Sequence, residues 1–220
     1  MVMRIAHDPK APPILHRCAR PHFADDAQEK PAPVERLPQS PKPLFFADVI
    51  STGSETPTSI PSLNLEVYPT DTRLIIPRIN QNVPVIGVTN ENLIARQWEK
   101  LEKDIQQALR NGVIHYPGTA LPGEGGNVVL TGHSSYYAWD PGRFKDVFAL
   151  LHDVRLGDKI VFFFNQKKFI YEVMDIKVVQ PKDVDVLGAS PKEQLTLITC
   201  TPIGTNLKRL ILTARLLGNL

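Results

Sequence analysis

The sequence predicts a mainly β domain with minor α content, folded as a closed or nearly closed barrel. Eight short runs rich in β-branched and aromatic residues follow one another, separated by turn-forming residues. So many strand candidates in about 155 residues favour a barrel. The runs are Leu63 to Val67, Leu74 to Ile76, Val83 to Val88, Asn127 to Thr131, Lys159 to Phe164, Phe169 to Val179, Leu195 to Cys200 and Leu210 to Leu216.

One longer helix is predicted between the third and fourth runs. Asn90 is expected to cap it and Gly112 to end it. Its apolar stripe at helical spacing comprises Leu93, Ile94, Trp98, Leu101, Ile105 and Leu109. A shorter helical turn is expected at Phe144 to Leu151, and the segment Asn165 to Lys168 is expected to form a hairpin loop.

The N-terminal part has a different composition from the rest. Of the 20 prolines, 11 lie in residues 1–61. Proline donates no backbone hydrogen bond, and little apolar periodicity survives between these prolines, so a mostly disordered or extended tail is expected. The predicted division is therefore a tail at residues 1–61 and a folded domain at residues 62–220.

Composition excludes several functions. The net charge is +2 and the 25 basic residues are scattered, which gives no reason to expect nucleic acid as a partner. With only Cys18 and Cys200, a zinc site built on paired cysteines is excluded. No run reaches the roughly 20 apolar residues that span a bilayer, and residues 1–15 lack the core of a signal peptide. Neither an anchor nor a signal peptide is expected in this chain.

Cys200 is the principal candidate for chemistry. It ends an apolar run and directly precedes Thr201-Pro202, where proline cannot continue a central strand. A residue at a strand end lies at the rim of a barrel, where substrate can reach it. The competing interpretation is a buried core cysteine, which is common among leucine and isoleucine.

His133 and Arg209 are the other two candidates. His133 ends the run that begins at Asn127, and Arg209 begins the last run, nine residues after Cys200. A thiol, an imidazole and a guanidinium at strand ends are the groups that a cysteine acyl-transfer site needs. Taken singly, the histidine is more commonly a turn residue and the arginine a solvated charge.

With these residues identified, the chain resembles the sortases, the cysteine transpeptidases of bacterial cell surfaces. The resemblance covers roughly residues 72–217, and the landmarks follow in the order of that family. They are the entry strand Arg73-Leu74-Ile75-Ile76-Pro77, the Gly-Asn-Val-Val-Leu-Thr-Gly-His segment ending at His133, Leu156-Gly157-Asp158, Leu195-Thr196-Leu197-Ile198-Thr199-Cys200 and Arg209-Leu210-Ile211-Leu212.

The resemblance implies an eight-stranded closed β-barrel with one longer and one or two short helices. It assigns catalysis to Cys200, His133 and Arg209. The implied reaction cleaves a Leu-Pro-any-Thr-Gly-like sorting signal through a thioester and passes the acyl group to an amine. Cys200 attacks the Thr carbonyl, His133 protonates the departing glycine amine, and Arg209 stabilises the oxyanion.

The resemblance also implies secondary roles. Thr199 is a candidate for oxyanion stabilisation or else an ordinary strand residue. Val184, Val186 and Leu187 either line a groove for the signal or pack their loop down. Asp183, Asp185 and Glu193 suggest the calcium ligands of some sortases, but acids spaced in this way are more commonly solvated, so no metal and no cofactor are expected.

The expected partners are surface proteins that carry the signal and an amine acceptor, either a peptidoglycan precursor or a pilin lysine. The expected location is the outer face of the cytoplasmic membrane, and a monomer is expected. Two alternatives to the transpeptidase remain. One is a cysteine peptidase that transfers the acyl group to water, and the other is a non-catalytic barrel that binds peptides.

Overall fold

The computed structural model describes residues 68–135 and 142–219. The predicted tail and the predicted strand at Leu63 to Val67 lie outside the described residues. Everything below refers to the two described ranges.

Eight strands in these ranges form a closed barrel in the order β1-β2-β3-β4-β7-β8-β6-β5. The predicted fold class is therefore confirmed. The pairs β2–β3 and β4–β7 are parallel, and the other pairs in the ring are antiparallel. The strands are β1 Arg73–Ile76, β2 Gln81–Gly87, β3 Val113–His115, β4 Asn127–Thr131, β5 Lys159–Phe164, β6 Lys167–Val179, β7 Gln194–Thr201 and β8 Lys208–Asn219.

The helix predicted between Asn90 and Gly112 is not continuous, because the structure divides this stretch into a short helix and a longer one. Helix α1 spans Glu91–Ile94 and α2 spans Trp98–Leu109. Arg96 lies between them with φ of 55°, a left-handed conformation that cannot continue a right-handed helix. Ile94 is consequently 69% exposed, outside the apolar stripe to which it was assigned.

Two smaller expectations also change. The Asn90 side chain does not cap α1; its Oδ1 accepts a hydrogen bond from Gly118 N instead (2.8 Å). The turn expected at Phe144 to Leu151 forms a 3-10 helix only further along, at Leu151–Asp153. Two more 3-10 segments, Pro77–Ile79 and Val184–Leu187, occur in the described ranges.

The barrel wall separates two apolar clusters. The interior cluster fills the barrel and includes Leu74, Leu130, Leu197 and Leu212. The outer cluster lies between the outside of the wall and α2. It comprises Leu101, Ile105, Leu109, Ile114, Tyr116, Val129, Leu187, Ile198 and Ile211. Because successive strand residues face opposite sides, β3, β4, β7 and β8 contribute buried residues to both clusters, whereas β1 and β5 contribute only to the interior cluster.

The hairpin loop between β5 and β6 is only two residues long. Asn165 and Gln166 have φ of 49° and 58°, and both are exposed. Positive φ at both central residues is the requirement of a type I′ turn, whose twist matches that of the strands that it joins. Asparagine tolerates this conformation, whereas glutamine is strained in it.

We therefore expect Gln166→Gly to stabilise the protein. The change removes the left-handed strain of about 1 kcal/mol, offset in part by the greater chain entropy of glycine in the unfolded state, which leaves about 0.5 kcal/mol. Urea unfolding followed by tryptophan fluorescence measures the difference. Asn165→Ala, which places an unsuitable residue in the same turn, is expected to lower the free energy of unfolding.

Candidate active site

Three neighbouring strands bring Cys200, Arg209 and His133 to the same edge of the barrel. Cys200 on β7 lies directly opposite Arg209 on β8. Strand β4 runs parallel to β7 on its other side. The hydrogen bond from Gly132 N to Ile198 O (3.2 Å) extends this register past the end of β4, so that His133 comes next to Cys200. We call these three residues the Cys200 row.

The Cys200 row lies on the outside of the barrel wall. Along β7, Leu195 and Leu197 belong to the interior cluster, whereas Ile198 belongs to the outer cluster. Cys200 follows the alternation of Ile198 and therefore faces outward. On β8, Arg209 shares the outer face with Ile211, as the alternation of the last run predicted. Neighbouring strands are about 4.8 Å apart, so the three Cα atoms span about 10 Å.

The backbone around His133 is fixed from two sides. Its carbonyl accepts a hydrogen bond from Phe148 N (2.9 Å), and Gly132 is bonded to β7. A Cβ on Gly132 would lie 2.8 Å from the Phe148 ring and 2.9 Å from Val147, so a side chain at this position would push the segment away. His133 itself is only 6% exposed. The imidazole is therefore delivered by a rigid main chain.

Arg209 is buried and held by main-chain carbonyls. It is 3% exposed, and its Nη1 donates to Asn206 O and Lys208 O, both at 3.0 Å. Burial lowers the pKa of Arg209 to about 10, which leaves the guanidinium cationic at neutral pH. A fixed cation in a poorly hydrated site stabilises a developing negative charge more strongly than one in water.

Cys200 is 6% exposed and is the penultimate residue of β7, which ends at Thr201, one residue later than the sequence predicted. The sulfur of Cys200 can act as a nucleophile only as a free thiolate. His133 and Arg209 lie on either side of this cysteine on the neighbouring chain segments. The arrangement thus places a thiol, an imidazole and a guanidinium on one row, and these are the groups that a cysteine acyl-transfer site needs.

A comparison with known protein families agrees with this geometry. The family model described as the sortase domain matches residues 74–217. The chain belongs to the sortase family.

Among the helices in the described ranges, none is long and apolar enough to cross a membrane.

Individual sortases show the extent of the similarity. Sortase D of Bacillus subtilis is 29% identical over 143 residues, which cover 63% of this chain and 60% of that protein. The solved structure titled Sortase C1 of GBS Pilus Island 1 has a TM-score of 0.54 and 30% identity, covering 67% of this chain and 64% of the other. The lid mutant of Sortase A from Corynebacterium diphtheriae has a TM-score of 0.53 and 32% identity, covering 68% and 71%. This chain therefore spans about three fifths of the curated sortase named here.

Thr199 lies beside the cysteine of this sortase but on the other face of β7. It is 3% exposed, and its hydroxyl donates to Gly132 O (2.8 Å). The hydroxyl therefore ties β7 to the residue that precedes His133. The contact with the Gly132 carbonyl is observed, whereas the expected contribution of Thr199 to oxyanion stabilisation stays a prediction.

The three apolar residues expected in the signal groove have different environments. Leu187 is buried in the outer cluster, so it packs the loop down, which was the alternative interpretation. Val186 is partly buried against that cluster and also lines a cavity of about 230 Å³ between the loop and the strands. Val184 is partly exposed. All three lie in the 3-10 segment Val184–Leu187.

Asp183 and Glu193, two of the three acidic residues considered in this loop, accept hydrogen bonds within the protein. Asp183 Oδ2 accepts from Gln180 N (2.8 Å), and Glu193 accepts from the Tyr171 hydroxyl (2.7 Å) and from Gly123 N (3.0 Å). Asp185 is exposed. Within residues 68–135 and 142–219, no group of three His, Cys, Asp or Glu side chains is arranged to hold a metal ion.

Sequence reasoning missed the residue that anchors this loop. Asn127, the first residue of β4, is 3% exposed and bonds to two loop carbonyls. An amide in an otherwise apolar run is the only signal in the sequence. Its partners lie 59 and 61 residues away, and only the fold brings them together.

We expect Thr199→Val to slow the acyl-transfer reaction that was expected from the sequence. The Gly132 carbonyl loses the hydroxyl donor, so the main chain of His133 is held less firmly. Leaving a buried carbonyl unsatisfied also costs about 1 to 3 kcal/mol of stability. Thr199→Ser retains the hydroxyl and is expected to stay close to the parent protein in both respects. Steady-state kinetics and urea unfolding of the two variants provide the measurement. A hydroxyl that served only the oxyanion would lower the rate of Thr199→Val without lowering its stability.

Proposed function

We propose that this sortase is a cysteine transpeptidase that cleaves a Leu-Pro-any-Thr-Gly-like sorting signal and transfers the new acyl end to an amine. The observation that carries this proposal is the Cys200 row, in which Cys200 is directly opposite Arg209 and next to His133. Membership of the sortase family supports the class of reaction.

In the first half-reaction the reduced Cys200, as thiolate, attacks the carbonyl carbon of the signal's threonine. The carbonyl oxygen becomes an oxyanion, which the buried guanidinium of Arg209 stabilises. The peptide bond to glycine then breaks. His133, in its protonated form, gives its proton to the departing amine, and the threonine carbonyl stays on the sulfur as a thioester.

In the second half-reaction an incoming amine attacks the thioester. Neutral His133 accepts the proton of the attacking amine, the bond between carbon and sulfur breaks, and the Cys200 thiolate is released. The products are a new amide and the original enzyme. Resolution by an amine rather than by water defines a transpeptidase.

The proposed donors are surface proteins that carry the sorting signal, and the proposed acceptor is an amine of a peptidoglycan precursor or a pilin lysine. This assigns the protein to the outer face of the cytoplasmic membrane. We propose that Val184 and Val186, which are only partly buried in the β6–β7 loop, contact the apolar residues of the signal.

The nucleophile is tested by Cys200→Ala. In the presence of a reductant, this variant is expected to lose all cleavage of a fluorescence-quenched sorting-signal peptide. Cys18→Ala removes the only other cysteine and serves as the matched control, with activity expected to stay within about twofold. Full activity in Cys200→Ala would exclude the assignment.

The oxyanion role is tested by Arg209→Ala, which is expected to reduce kcat about 10²-fold or more. Arg215→Ala is the matched control, because Arg215 lies on the same face of β8, is exposed and pairs with Glu172. Its kcat is expected to stay within about twofold. Equal losses in the two variants would assign the effect to general charge rather than to Arg209.

The acceptor is tested by adding amines and identifying the products by mass. Covalent joining of the signal's threonine to glycine peptides or to lysine side chains supports transpeptidation. Products formed only with water would instead make the protein a cysteine peptidase. Binding of the signal peptide without any cleavage would instead favour the alternative of a non-catalytic barrel that binds peptides.

A further inference from the structure

A buried amide connects the start of β4 to the loop between β6 and β7. The Nδ2 of Asn127 donates to Val186 O (2.9 Å) and to Gly188 O (3.0 Å). Its Oδ1 accepts from the hydroxyl of Thr196 (2.7 Å) on the neighbouring strand β7. Asn127 and Thr196 are 3% and 1% exposed. Each polar atom of the amide therefore has a partner in a site with little access to water.

The chemistry of these partners fixes which way the amide points. Carbonyl oxygens only accept hydrogen bonds, so the atom facing Val186 and Gly188 has to be the NH₂ group. The remaining oxygen then takes the Thr196 hydroxyl. In Asn127→Asp a carboxylate oxygen would face the carbonyl oxygens of Val186 and Gly188. The attraction between donor and acceptors would become a repulsion between acceptors, while the side-chain volume would hardly change.

The loop segment from Val186 to Gly188, which Asn127 holds, packs close to the Cys200 row. Leu187, between the two bonded carbonyls, packs in the outer cluster with Ile198 and Ile211. These isoleucines are two residues from Cys200 and Arg209 along their strands, a distance of about 6.6 Å. Gly188 closes the 3-10 turn by donating to Asp185 O (2.9 Å), where a Cβ would lie 2.9 Å from the same oxygen. A shift of this segment would move the wall beside the Cys200 row.

We propose that Asn127 is a positioning residue that sets how tightly the donor peptide binds, by holding the Val186 and Gly188 carbonyls and with them the β6–β7 loop. This inference rests on the proposed function, in which that loop contacts the sorting signal. Asn127 touches no reacting atom. Its effect is therefore expected in the KM for the donor peptide rather than in kcat.

The primary test is Asn127→Asp in the 220-residue chain. The KM for the sorting-signal peptide is expected to rise about tenfold or more, with kcat within about twofold of the parent. Hydrogen exchange followed by mass spectrometry is expected to show faster exchange in residues 183–188. Exchange in β4 and β7 is expected to remain slow, because their ladder is intact.

A second pair of variants keeps the test decisive where Asn127→Asp does not fold. Thr196→Val removes only the donor that orients the amide, and is expected to raise KM about threefold. Thr196→Ser retains the hydroxyl and is the matched control, expected within about twofold of the parent. An equal KM in Thr196→Val and Thr196→Ser would overturn the proposal that the Asn127 amide sets how tightly the donor peptide binds.

The remaining outcomes each decide the proposal. Loop exchange that stays unchanged in Asn127→Asp shows that the amide does not hold the loop. Faster loop exchange with an unchanged KM, or with a loss confined to kcat, removes the role in peptide binding. A parent protein that cleaves no signal peptide refutes the proposed function and the role in binding, while the exchange data still decide whether Asn127 holds the loop.

Discussion

The parallel pairing of β4 with β7 is the constraint on which the site depends. Parallel strands end at the same edge of a sheet, so the exits of β4 and β7 deliver His133 and Cys200 side by side. The antiparallel return of β8 then begins where β7 ends and adds Arg209 to the same row. The residues of this row are separated by 67 and 9 positions in the chain, yet the register alone makes them neighbours. A shift of one residue in either pairing would turn one of the groups to the opposite face.

Burial gives this row both its chemical value and its cost. Removing a guanidinium from water is unfavourable, which is why burial lowers the pKa of Arg209. The carbonyls of Asn206 and Lys208 offset part of that cost and fix the cation in one place. The thiol of Cys200 lies opposite the same cation. The burial that costs free energy in the resting protein would also strengthen the attraction between this cation and a negative charge formed beside it.

Much of the fold could be predicted from local pattern, and the failures have physical causes. Seven runs from Leu74 to Leu216 coincide with strands because half-buried strands impose alternation or apolar continuity. Strand β3, with three residues, is too short to show a period. The helix break at Arg96 depends on a left-handed conformation that residue type does not reveal. Asn127 could not be interpreted from the sequence, because its partners are defined only by the path of a distant loop. The three residues of the Cys200 row were each candidates from residue type and position at a strand end, but their grouping was expected from the resemblance to the sortases, because strand register is not visible in the sequence.

The two-residue turn between β5 and β6 lies at the opposite end of the barrel wall from the Cys200 row. Strand β6 begins at this turn, and its other end, Val179, pairs with Arg209 beside the catalytic edge. The turn therefore lies at the opposite end of a 13-residue strand from the chemistry. A linker or fluorophore attached at Asn165 would tether the protein with its reactive edge facing away from the support. Such an orientation keeps the attachment point at the far end of β6 from Cys200 and Arg209.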